Sequence, residues 1–276
     1  MGNALTVDVE DYFQTEAMSS AAPRESWSTM ESRVERNTWR LLELFDRHQV
    51  RTTMFFLGWV AERFPKLVAE AVAAGHEPGC HSYWHRPVCR LTPHEFREDT
   101  LRSKELIEAL GGKPVTGYRA PSFSLLSGMD WAYDVLTDTG FSYSSSCHPI
   151  LHDNFSNPLA SRLPYRSKSG LLEIPITTWR ILNRNFPVGG GAYLRILPFA
   201  LVSAGLRHAY QSGESLMVYL HPWEIDYEQP HLRVGFKSRL RQYTGLKRTV
   251  NRLERLLSSY RFLPANEAFA AELGNK

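Results

Sequence analysis

Two histidines in the sequence are spaced so that both side chains could hold one divalent metal ion. His81 and His85 lie four residues apart, a separation that brings two imidazoles to one face of a helical turn. The spacing by itself is moderately specific, because a lone histidine pair more often consists of ordinary core or turn residues. A metal site therefore requires further polar side chains that converge on the same place.

Candidate partners stand at the ends of three strand-like segments. Residues 4–10, ALTVDVE, alternate apolar and polar side chains, and this period of two places Asp8 and Glu10 on the same side of a strand. Arg119 and His221 lie at the ends of the segments VTGYRAP and SLMVYLHP. Because barrel active sites assemble at the carboxyl ends of strands, we expect these side chains to meet.

Strand-like and helix-like segments alternate along the chain. A capping box from Thr92 to Glu95, with proline at the first helical position, begins one helix, which should stop at Gly111-Gly112. The remaining helices are predicted over residues 31–48, 64–74, 128–139 and 198–211, and further strands are predicted at TTMFFLG, FSYSSS and LLEIPIT. The proline-rich segment 154–192 is predicted to form long loops with one strand inside. The alternation predicts an α/β fold with a parallel sheet or barrel in one domain.

The composition is that of a globular protein. Of 276 residues, 43% are hydrophobic and 22% are charged, which excludes disordered, collagen-like and coiled-coil chains. No apolar run approaches the ~20 residues that would cross a bilayer. The N-terminus lacks the pattern of a signal peptide, so we expect a cytoplasmic protein. Three cysteines without C-x-x-C spacing favour reduced thiols over a disulfide framework.

Basic residues concentrate near the C-terminus. Residues 231–262 contain nine Arg or Lys and one acid, Glu254. A helix is predicted near 246–259, with a leucine-rich stripe packed on the barrel and its charges in water. We therefore expect a solvated helical face and no nucleic-acid partner. Membrane contact through this basic tail is the less favoured alternative, and the sequence leaves a homo-oligomer open.

Four segments together resemble the polysaccharide deacetylases of the NodB homology domain, carbohydrate esterase family 4. ALTVD stands where the family has a strand ending in aspartates, GHEPGCHSYWH matches its metal motif, YRAPSF its arginine-proline motif and MVYLHP its final histidine motif. The resemblance spans about residues 5–225, and it is strongest to the branch found in bacterial exopolysaccharide loci with exosortase systems. It implies an irregular (β/α) barrel over residues 1–230, with residues 231–276 as a basic helical extension packed on the same domain.

The resemblance also implies a reaction, the metal-dependent removal of acetate from N-acetylhexosamine units of an exopolysaccharide or its precursor. Asp8 matches the base that takes a proton from the attacking water, and Arg119 would hold Asp8 ionised. His221 would protonate the departing amine. The metal would be zinc, with cobalt, nickel or iron as alternatives, and His81, His85 and one carboxylate would bind it.

The third metal ligand departs from the family pattern, which places an aspartate directly after the base. Val9 occupies that position here, so the ligand is Glu10 or Asp11. We favour Glu10, because strand alternation places it on the same side as the base. The carboxylate that orients the acid histidine also lacks a clear counterpart, and Asp130 and Glu224 are the candidates.

Six residues near these motifs are candidates for binding the glycan. Aromatic rings can stack on the partly apolar faces of sugars, although buried aromatic residues normally belong to the core. The backbone N–H that follows Pro121 would stabilise the oxyanion. The six candidates are Tyr12, Trp84, Pro121, Ser122, Phe123 and Trp223.

Two other functions are compatible with the sequence. A cyclic-amide hydrolase, like the allantoinase-like branch of the same superfamily, would keep the barrel and change the substrate. The two intact histidines disfavour the metal-free version of that enzyme. A non-catalytic carbohydrate-binding protein of the exopolysaccharide system would be favoured if neither Glu10 nor Asp11 completed the metal site.

Overall fold

The computed structural model describes residues 2–153 and 155–274. The strands are β1 (Asn3–Val9), β2 (Thr53–Phe56), β3 (Glu77–Cys80), β4 (Gly117–Tyr118), β5 (Tyr143–Ser144), β6 (Tyr165–Arg166), β7 (Leu172–Glu173), β8 (Thr178–Ile181), β9 (Arg184–Pro187), β10 (Met217–Leu220) and β11 (Phe262–Leu263). The α-helices are α1 (Val34–Arg47), α2 (Gly58–Arg63), α3 (Pro65–Ala73), α4 (Pro93–Gly111), α5 (Asp130–Asp138), α6 (Gly191–Ile196), α7 (Phe199–Gln211), α8 (Phe236–Tyr243), α9 (Thr249–Ser259), α10 (Ala265–Ala268) and α11 (Ala270–Gly274).

The strands form a curled sheet with the order β10-β1-β2-β3-β4-β5-β7-β6, and β11 pairs with β1. Every pairing in this sheet is parallel except that of β6 with β7. Helices connect the successive parallel strands from β1 to β5, whereas a long loop with β6 leads from β5 to β7. The fold is therefore an irregular α/β barrel, as the sequence predicts, and the carboxyl ends of its parallel strands share one rim.

Alternation along β1 explains how the barrel is filled. All seven residues of β1 are buried, so both faces of this strand are covered. Leu5, Val7 and Val9 pack with the surrounding helices in the larger apolar core. The alternate positions point to the barrel interior, where Ala4 joins a smaller apolar cluster and Thr6 accepts a hydrogen bond from a buried arginine. The polar half of ALTVDVE is thus the inner face of a barrel strand.

Local capping signals in the sequence correspond to observed helix ends. The Thr92 side chain accepts a hydrogen bond from the Glu95 backbone, and the Glu95 carboxylate accepts one from the Thr92 backbone, which confirms the predicted capping box. Helix α4 ends where Gly112 adopts a left-handed conformation with φ of 64°. This conformation favours glycine, which explains the predicted stop.

The segment 154–192 differs from the prediction of long loops with one strand. It contains the antiparallel pair of β6 with β7 and a separate hairpin of β8 with β9. The hairpin turn is formed by Leu182 and Asn183, both with positive φ, of 45° and 65°. Two-residue hairpin turns usually contain glycine, which is the residue that identifies them in a sequence. Because this turn has no glycine, the sequence pattern did not predict a hairpin here.

The basic C-terminal segment returns to the barrel. Helix α9 buries Leu253, Leu256 and Leu257 in the main core, and β11 then pairs with the start of β1. The segment after residue 231 therefore includes a sheet strand as well as helices. Within residues 2–153 and 155–274, no helix is both long enough and apolar enough to cross a membrane.

Candidate active site

Five predicted site residues meet at one rim of the barrel. Asp8 and Glu10 lie at the end of β1, His81 directly follows β3, Arg119 follows β4, and His221 follows β10. Each side chain is therefore placed by the carboxyl end of a parallel strand. The sheet order brings β10, β1, β2, β3 and β4 side by side, which gathers residues that are more than 200 positions apart in sequence.

Glu10, His81 and His85 form a compact buried cluster. Their candidate ligand atoms all lie within 4.8 Å of one another. Glu10 Oε2 is 2.7 Å from His85 Nε2 and 3.9 Å from His81 Nε2. Among the described residues, nothing donates a well-aligned hydrogen bond to this buried oxygen. An orphaned carboxylate oxygen facing two imidazole nitrogens is the donor set that a divalent metal requires.

The second nitrogen of His81 is also held in place. Its Nδ1 donates a hydrogen bond to the Arg119 carbonyl oxygen at 2.8 Å, so Nε2 is free to face Glu10. A backbone partner of this kind fixes the ring orientation and tautomer of a metal-binding histidine. His81 and Arg119 are thus coupled through the backbone as well as by their shared location.

The histidine pair lies on a tight irregular turn rather than the helical turn suggested by its spacing. Ser82 and His85 have positive φ values of 63° and 52°. The carboxylate of Asp99, on α4, accepts hydrogen bonds from the backbone N–H groups of Tyr83 and Trp84. This buried carboxylate holds the turn, and the two imidazole rings meet with centroids 5.2 Å apart.

The protonation states in this cluster suit metal binding. Burial alone would raise the pKa of Glu10, but His85, His221 and His81 together outweigh it and lower the pKa to about 2. Burial lowers the pKa of His81 to about 4, despite the nearby Asp8 carboxylate. At neutral pH the cluster therefore presents an ionised carboxylate and a neutral imidazole, the forms that ligate metal.

Asp11, the alternative third ligand, faces away from the cluster. Its carboxylate accepts hydrogen bonds from the Ser32 hydroxyl at 2.7 Å and from the backbone N–H groups of Arg33 at 2.8 Å and Val34 at 3.1 Å. These groups lie at the N-terminus of α1, where a negative charge is favourable. Asp11 therefore caps a helix, and the structure assigns it no place among the candidate metal donors.

Asp8 and Arg119 form a fully buried ion pair beside the cluster. Arg119 Nη1 donates to Asp8 Oδ1 at 2.8 Å, and the same nitrogen donates to the Thr6 hydroxyl. The other guanidinium nitrogens donate to the carbonyl and hydroxyl of Ser145, and the ring of Phe55 lies 4.4 Å from the guanidinium carbon. Because these contacts satisfy the whole guanidinium, the orientation of Asp8 is fixed.

His221 is oriented by Glu224, one of the two candidate carboxylates. Nδ1 of His221 donates to Glu224 Oε1 at 2.6 Å, and Glu224 Oε2 accepts a hydrogen bond from Arg195 Nε. Burial alone would lower the pKa of His221, but the hydrogen bond to Glu224 and the negative charges of Glu10, Glu224 and Asp8 together raise the pKa to about 9. Asp130 instead contacts Lys168 at the surface.

Two family models match this chain in succession. Residues 20–141 match the polysaccharide deacetylase family, and residues 145–270 match a domain of unknown function, DUF3473. Residues 20–141 therefore carry a polysaccharide deacetylase domain match, the family that the sequence motifs resemble. The deacetylase match covers the His81 and Arg119 segments, whereas the segment of His221 and Glu224 lies in the second matched region.

Relatives of this chain include two bacterial enzymes named for peptidoglycan. The peptidoglycan deacetylase of Helicobacter pylori is 35% identical over 42% of this chain and 38% of its own length. The peptidoglycan-N-acetylglucosamine deacetylase of Bacillus cereus is 25% identical over 42% of this chain and 46% of its own length. The chain thus spans less than half the length of these relatives.

Solved structures share the fold of this chain. A Mycobacterium smegmatis protein provisionally named a polysaccharide deacetylase has a TM-score of 0.67 at 20% identity, covering 99% of this chain and 89% of the other. A family 4 carbohydrate esterase pseudoenzyme from Bacillus anthracis has a TM-score of 0.54 at 15% identity, covering 97% and 64%. These likenesses establish the barrel type.

A cavity of about 360 Å³ opens over the Glu10, His81 and His85 cluster. Its walls include Asp8, Glu10, His81, His85 and His221. Among the six residues predicted to bind glycan, three also line it, namely Ser122, Phe123 and Trp223.

The other three glycan-binding candidates lie outside the cavity wall. Tyr12 is 1% exposed and packs edge-on against Phe13 in the core. Trp84 packs against the ring of Tyr83 behind the histidine turn. Pro121 is buried, and it begins the turn that presents its neighbours rather than facing the cavity itself. These positions support the site without facing a sugar.

The turn after Pro121 is conformationally unusual. Ser122 and Phe123 both have positive φ, of 54° and 55°. Non-glycine residues enter this region at a cost, and such residues cluster at functional sites where the surroundings hold them. Here the backbone N–H of Phe123 donates to the Ala120 carbonyl oxygen, and the Ser124 hydroxyl donates to that of Pro121.

Sequence reasoning missed several residues that build the site. Arg195 lies in α6, and its guanidinium also donates to three backbone carbonyl oxygens near the end of α8. The glycine run before α6 allows this approach, because a Cβ on Gly190 would collide with the Tyr219 carbonyl. Tyr219 and His148 line the cavity together. The glycine run was the available sequence signal, and it indicates close backbone packing against β10.

Proposed function

We propose that this chain is a metal-dependent N-deacetylase that releases acetate from N-acetylhexosamine units of a glycan, an exopolysaccharide or its precursor. One observation carries the proposal. The Glu10, His81 and His85 cluster shares a single cavity with Asp8, which Arg119 holds from behind the cavity wall, and with His221. Amide hydrolysis at neutral pH needs a metal donor set, a base and an acid around one reacting group, and this cavity combines them.

The proposed ligands are Glu10, His81 and His85. When bound there, a divalent metal would polarise the acetyl carbonyl and lower the pKa of water. Two nitrogens and one carboxylate oxygen suit zinc, and cobalt, nickel and iron accept the same donors. Three protein ligands also leave coordination positions for water and substrate.

Asp8 is the proposed general base. Its Oδ1 is held by Arg119, whereas Oδ2 lies 3.9 Å from His221 Nε2 on the cavity side. In the proposed reaction, Asp8 accepts a proton from water as the water oxygen bonds to the acetyl carbon. Arg119 keeps the carboxylate ionised and aimed, because it is a buried opposite charge in direct contact.

His221 is the proposed general acid. Its Nε2 faces Asp8 and Glu10, while Nδ1 is held by Glu224. The carbon–nitrogen bond then breaks, the amine leaves with a proton from His221, and acetate is the second product. Glu224 stabilises the protonated ring that must exist before this transfer.

The cavity wall offers a place for the acyl group and the sugar. Ser122 and Phe123 occupy the strained turn beside Arg119, and we propose that the Ser122 backbone N–H supports the developing oxyanion. Trp223, which stacks on His221 with ring centroids 5.1 Å apart, and Phe123 are the proposed apolar contacts for the acetylated sugar.

An acetate-release assay on metal-stripped and metal-restored protein tests this proposal. The panel is chitooligosaccharides, poly-N-acetylglucosamine and allantoin. We expect acetate from at least one N-acetylated glycan, loss of release after chelation, and recovery with zinc. Ring opening of allantoin without acetate release would instead support the cyclic-amide hydrolase. Glycan binding with no turnover at any metal loading would support the non-catalytic protein.

A further inference from the structure

Helix α8, at the mouth of the cavity, presents its apolar side chains to solvent. Phe236 is 79% exposed and Leu240 is 47% exposed, whereas Gln242 is 1% exposed. The buried Gln242 amide donates hydrogen bonds to the Tyr12 carbonyl and to the Gln229 side chain. Surface helices normally bury their apolar stripe. In α8, by contrast, Phe236 and Leu240 are exposed and the polar Gln242 is buried. Phe236 and Leu240 are four residues apart and therefore lie on one outward face of the helix.

A neighbouring loop extends this apolar face. Leu151 is 82% exposed, and its neighbours Ile150 and His152 line the same cavity as Leu240. Arg241 of α8 donates to Asp153 at 2.7 Å, which fixes the loop beside the helix. Three large apolar side chains therefore stand around one opening.

The same surface is strongly basic. Residues 231–248 contain six Arg or Lys and no Asp or Glu. Arg233, Lys237 and Arg239 are exposed, and within the described ranges no carboxylate forms an ion pair with any of the three. We call Leu151, Phe236 and Leu240 with Arg233, Lys237 and Arg239 the mouth patch.

We propose that the mouth patch docks the chain onto a bilayer surface that contains anionic phospholipid. Exposed aromatic and aliphatic side chains flanked by unpaired cations match the acyl and headgroup layers of such a surface. A solvated helical face explains the charges but leaves the exposed Phe236 and Leu151 without a role. A nucleic-acid partner likewise gives no role to the aliphatic side chains.

The inference about the substrate rests on the proposed deacetylase function, and the docking adds to that function by indicating a substrate class. Because Lys237 and Leu240 line the cavity as well as the mouth patch, a docked chain would hold its cavity mouth against the bilayer. The substrate class this favours is a glycan attached to a membrane lipid, rather than a free polymer in solution.

Sedimentation with lipid vesicles tests the docking. The vesicles are phosphatidylcholine alone or mixed with phosphatidylglycerol. The apolar variant is Leu151→Ser with Phe236→Ser, and the charge variant is Arg233→Gln with Arg239→Gln. We expect the wild-type chain to bind the anionic vesicles preferentially, and each variant to weaken this binding about tenfold or more. These four positions lie outside the wall of the catalytic cavity.

Matched controls separate the patch from general surface effects. Leu201→Ser removes an exposed leucine from α7, and Lys66→Gln with Lys113→Gln removes two exposed charges elsewhere. Both controls should bind anionic vesicles like the wild type. Docking is overturned if the wild type ignores anionic vesicles, or if the controls lose binding equally. It is also overturned if a single-stranded oligonucleotide binds as tightly as vesicles and the apolar variant keeps full vesicle affinity.

The same preparations distinguish failure of docking from failure of catalysis. Acetate release from a soluble chitooligosaccharide measures the proposed function without any lipid. Turnover without vesicle binding overturns the docking and leaves the deacetylase proposal intact. Vesicle binding that depends on the mouth patch, with no turnover, supports the docking and contradicts the deacetylase proposal.

Discussion

Glu224 lies between His221 and Arg195, and each of its oxygens contacts one of them. A carboxylate in this position stabilises the protonated imidazole, while the buried arginine keeps the carboxylate ionised. The pKa of Glu224 is accordingly lowered: burial opposes ionisation, but Arg195 and His221 together outweigh it. The strength of the proposed acid therefore depends on Arg195, a charge 26 positions away from His221 in sequence.

Glu224→Gln tests this relationship. The amide can still accept from His221 Nδ1, but it removes the charge that favours the protonated ring, so we expect kcat to fall by roughly 100-fold. The high-pH limb of the rate profile should move to lower pH, because the pKa of His221 falls. Metal content should be unchanged by elemental analysis.

Asp130→Asn is the matched control for Glu224→Gln. Asp130 contacts Lys168 on the surface, so neutralising it should leave both kcat and the pH profile unchanged. Equal effects of the two substitutions would contradict the assignment of Glu224 as the residue that orients His221.

Glu10 and Asp11 should behave oppositely when neutralised. Glu10→Gln removes the orphaned oxygen between the two imidazoles, so bound metal measured by elemental analysis should be lost, as it should in His81→Ala and His85→Ala. Asp11→Asn should retain metal and lower the free energy of unfolding by about 1 kcal/mol, because a weaker cap remains on α1. If Glu10→Gln retained the metal and Asp11→Asn lost it, Asp11 rather than Glu10 would be the third ligand.

Asp8→Asn should separate catalysis from metal binding. The substitution keeps the size of the side chain and an acceptor for Arg119, so the fold and the metal content should persist. Acetate release should fall by about two to four orders of magnitude, because the amide cannot take a proton from water. Near-normal turnover, measured with the metal site shown to be full, would exclude Asp8 as the base.

The sequence predicted the features that depend on local spacing. The alternation of residues 4–10 placed Asp8 and Glu10 on one face of β1, and the Thr92–Glu95 box placed the start of α4. Both signals involve neighbours a few residues apart, whose geometry follows from the strand or helix itself. The common rim of the barrel then followed from the parallel order of the strands.

Features that depend on distant contacts were not predictable from the sequence. No local pattern indicates that the Asp11 carboxylate accepts hydrogen bonds from groups 21 to 23 positions later, at the N-terminus of α1. No sequence pattern near Arg195 indicates that this residue pairs with Glu224. Tyr12 looked like a sugar-stacking residue beside the motif, but the packing of Phe13 places its ring in the core.

His76 should make the stability of this fold depend on pH. Its Nδ1 accepts a hydrogen bond from the backbone N–H of Thr52, so the native ring is unprotonated at that nitrogen. Burial lowers the pKa of His76 from 6.5 to about 4, and the nearby Arg51 acts in the same direction. Between these two pH values, His76 binds a proton in the unfolded chain but not in the folded chain. The free energy of unfolding therefore decreases as the pH falls from about 6.5 to 4.

The measurement compares wild type with His76→Asn by urea unfolding from pH 7 to pH 4. Asparagine keeps an acceptor for Thr52 and does not titrate. The wild-type free energy of unfolding should therefore fall relative to the variant by on the order of 3 kcal/mol across this range, since one pKa unit corresponds to about 1.4 kcal/mol. His94→Asn, at an exposed histidine on α4, should leave the wild-type curve unchanged. Parallel curves for wild type and His76→Asn would show that His76 is not the group that titrates.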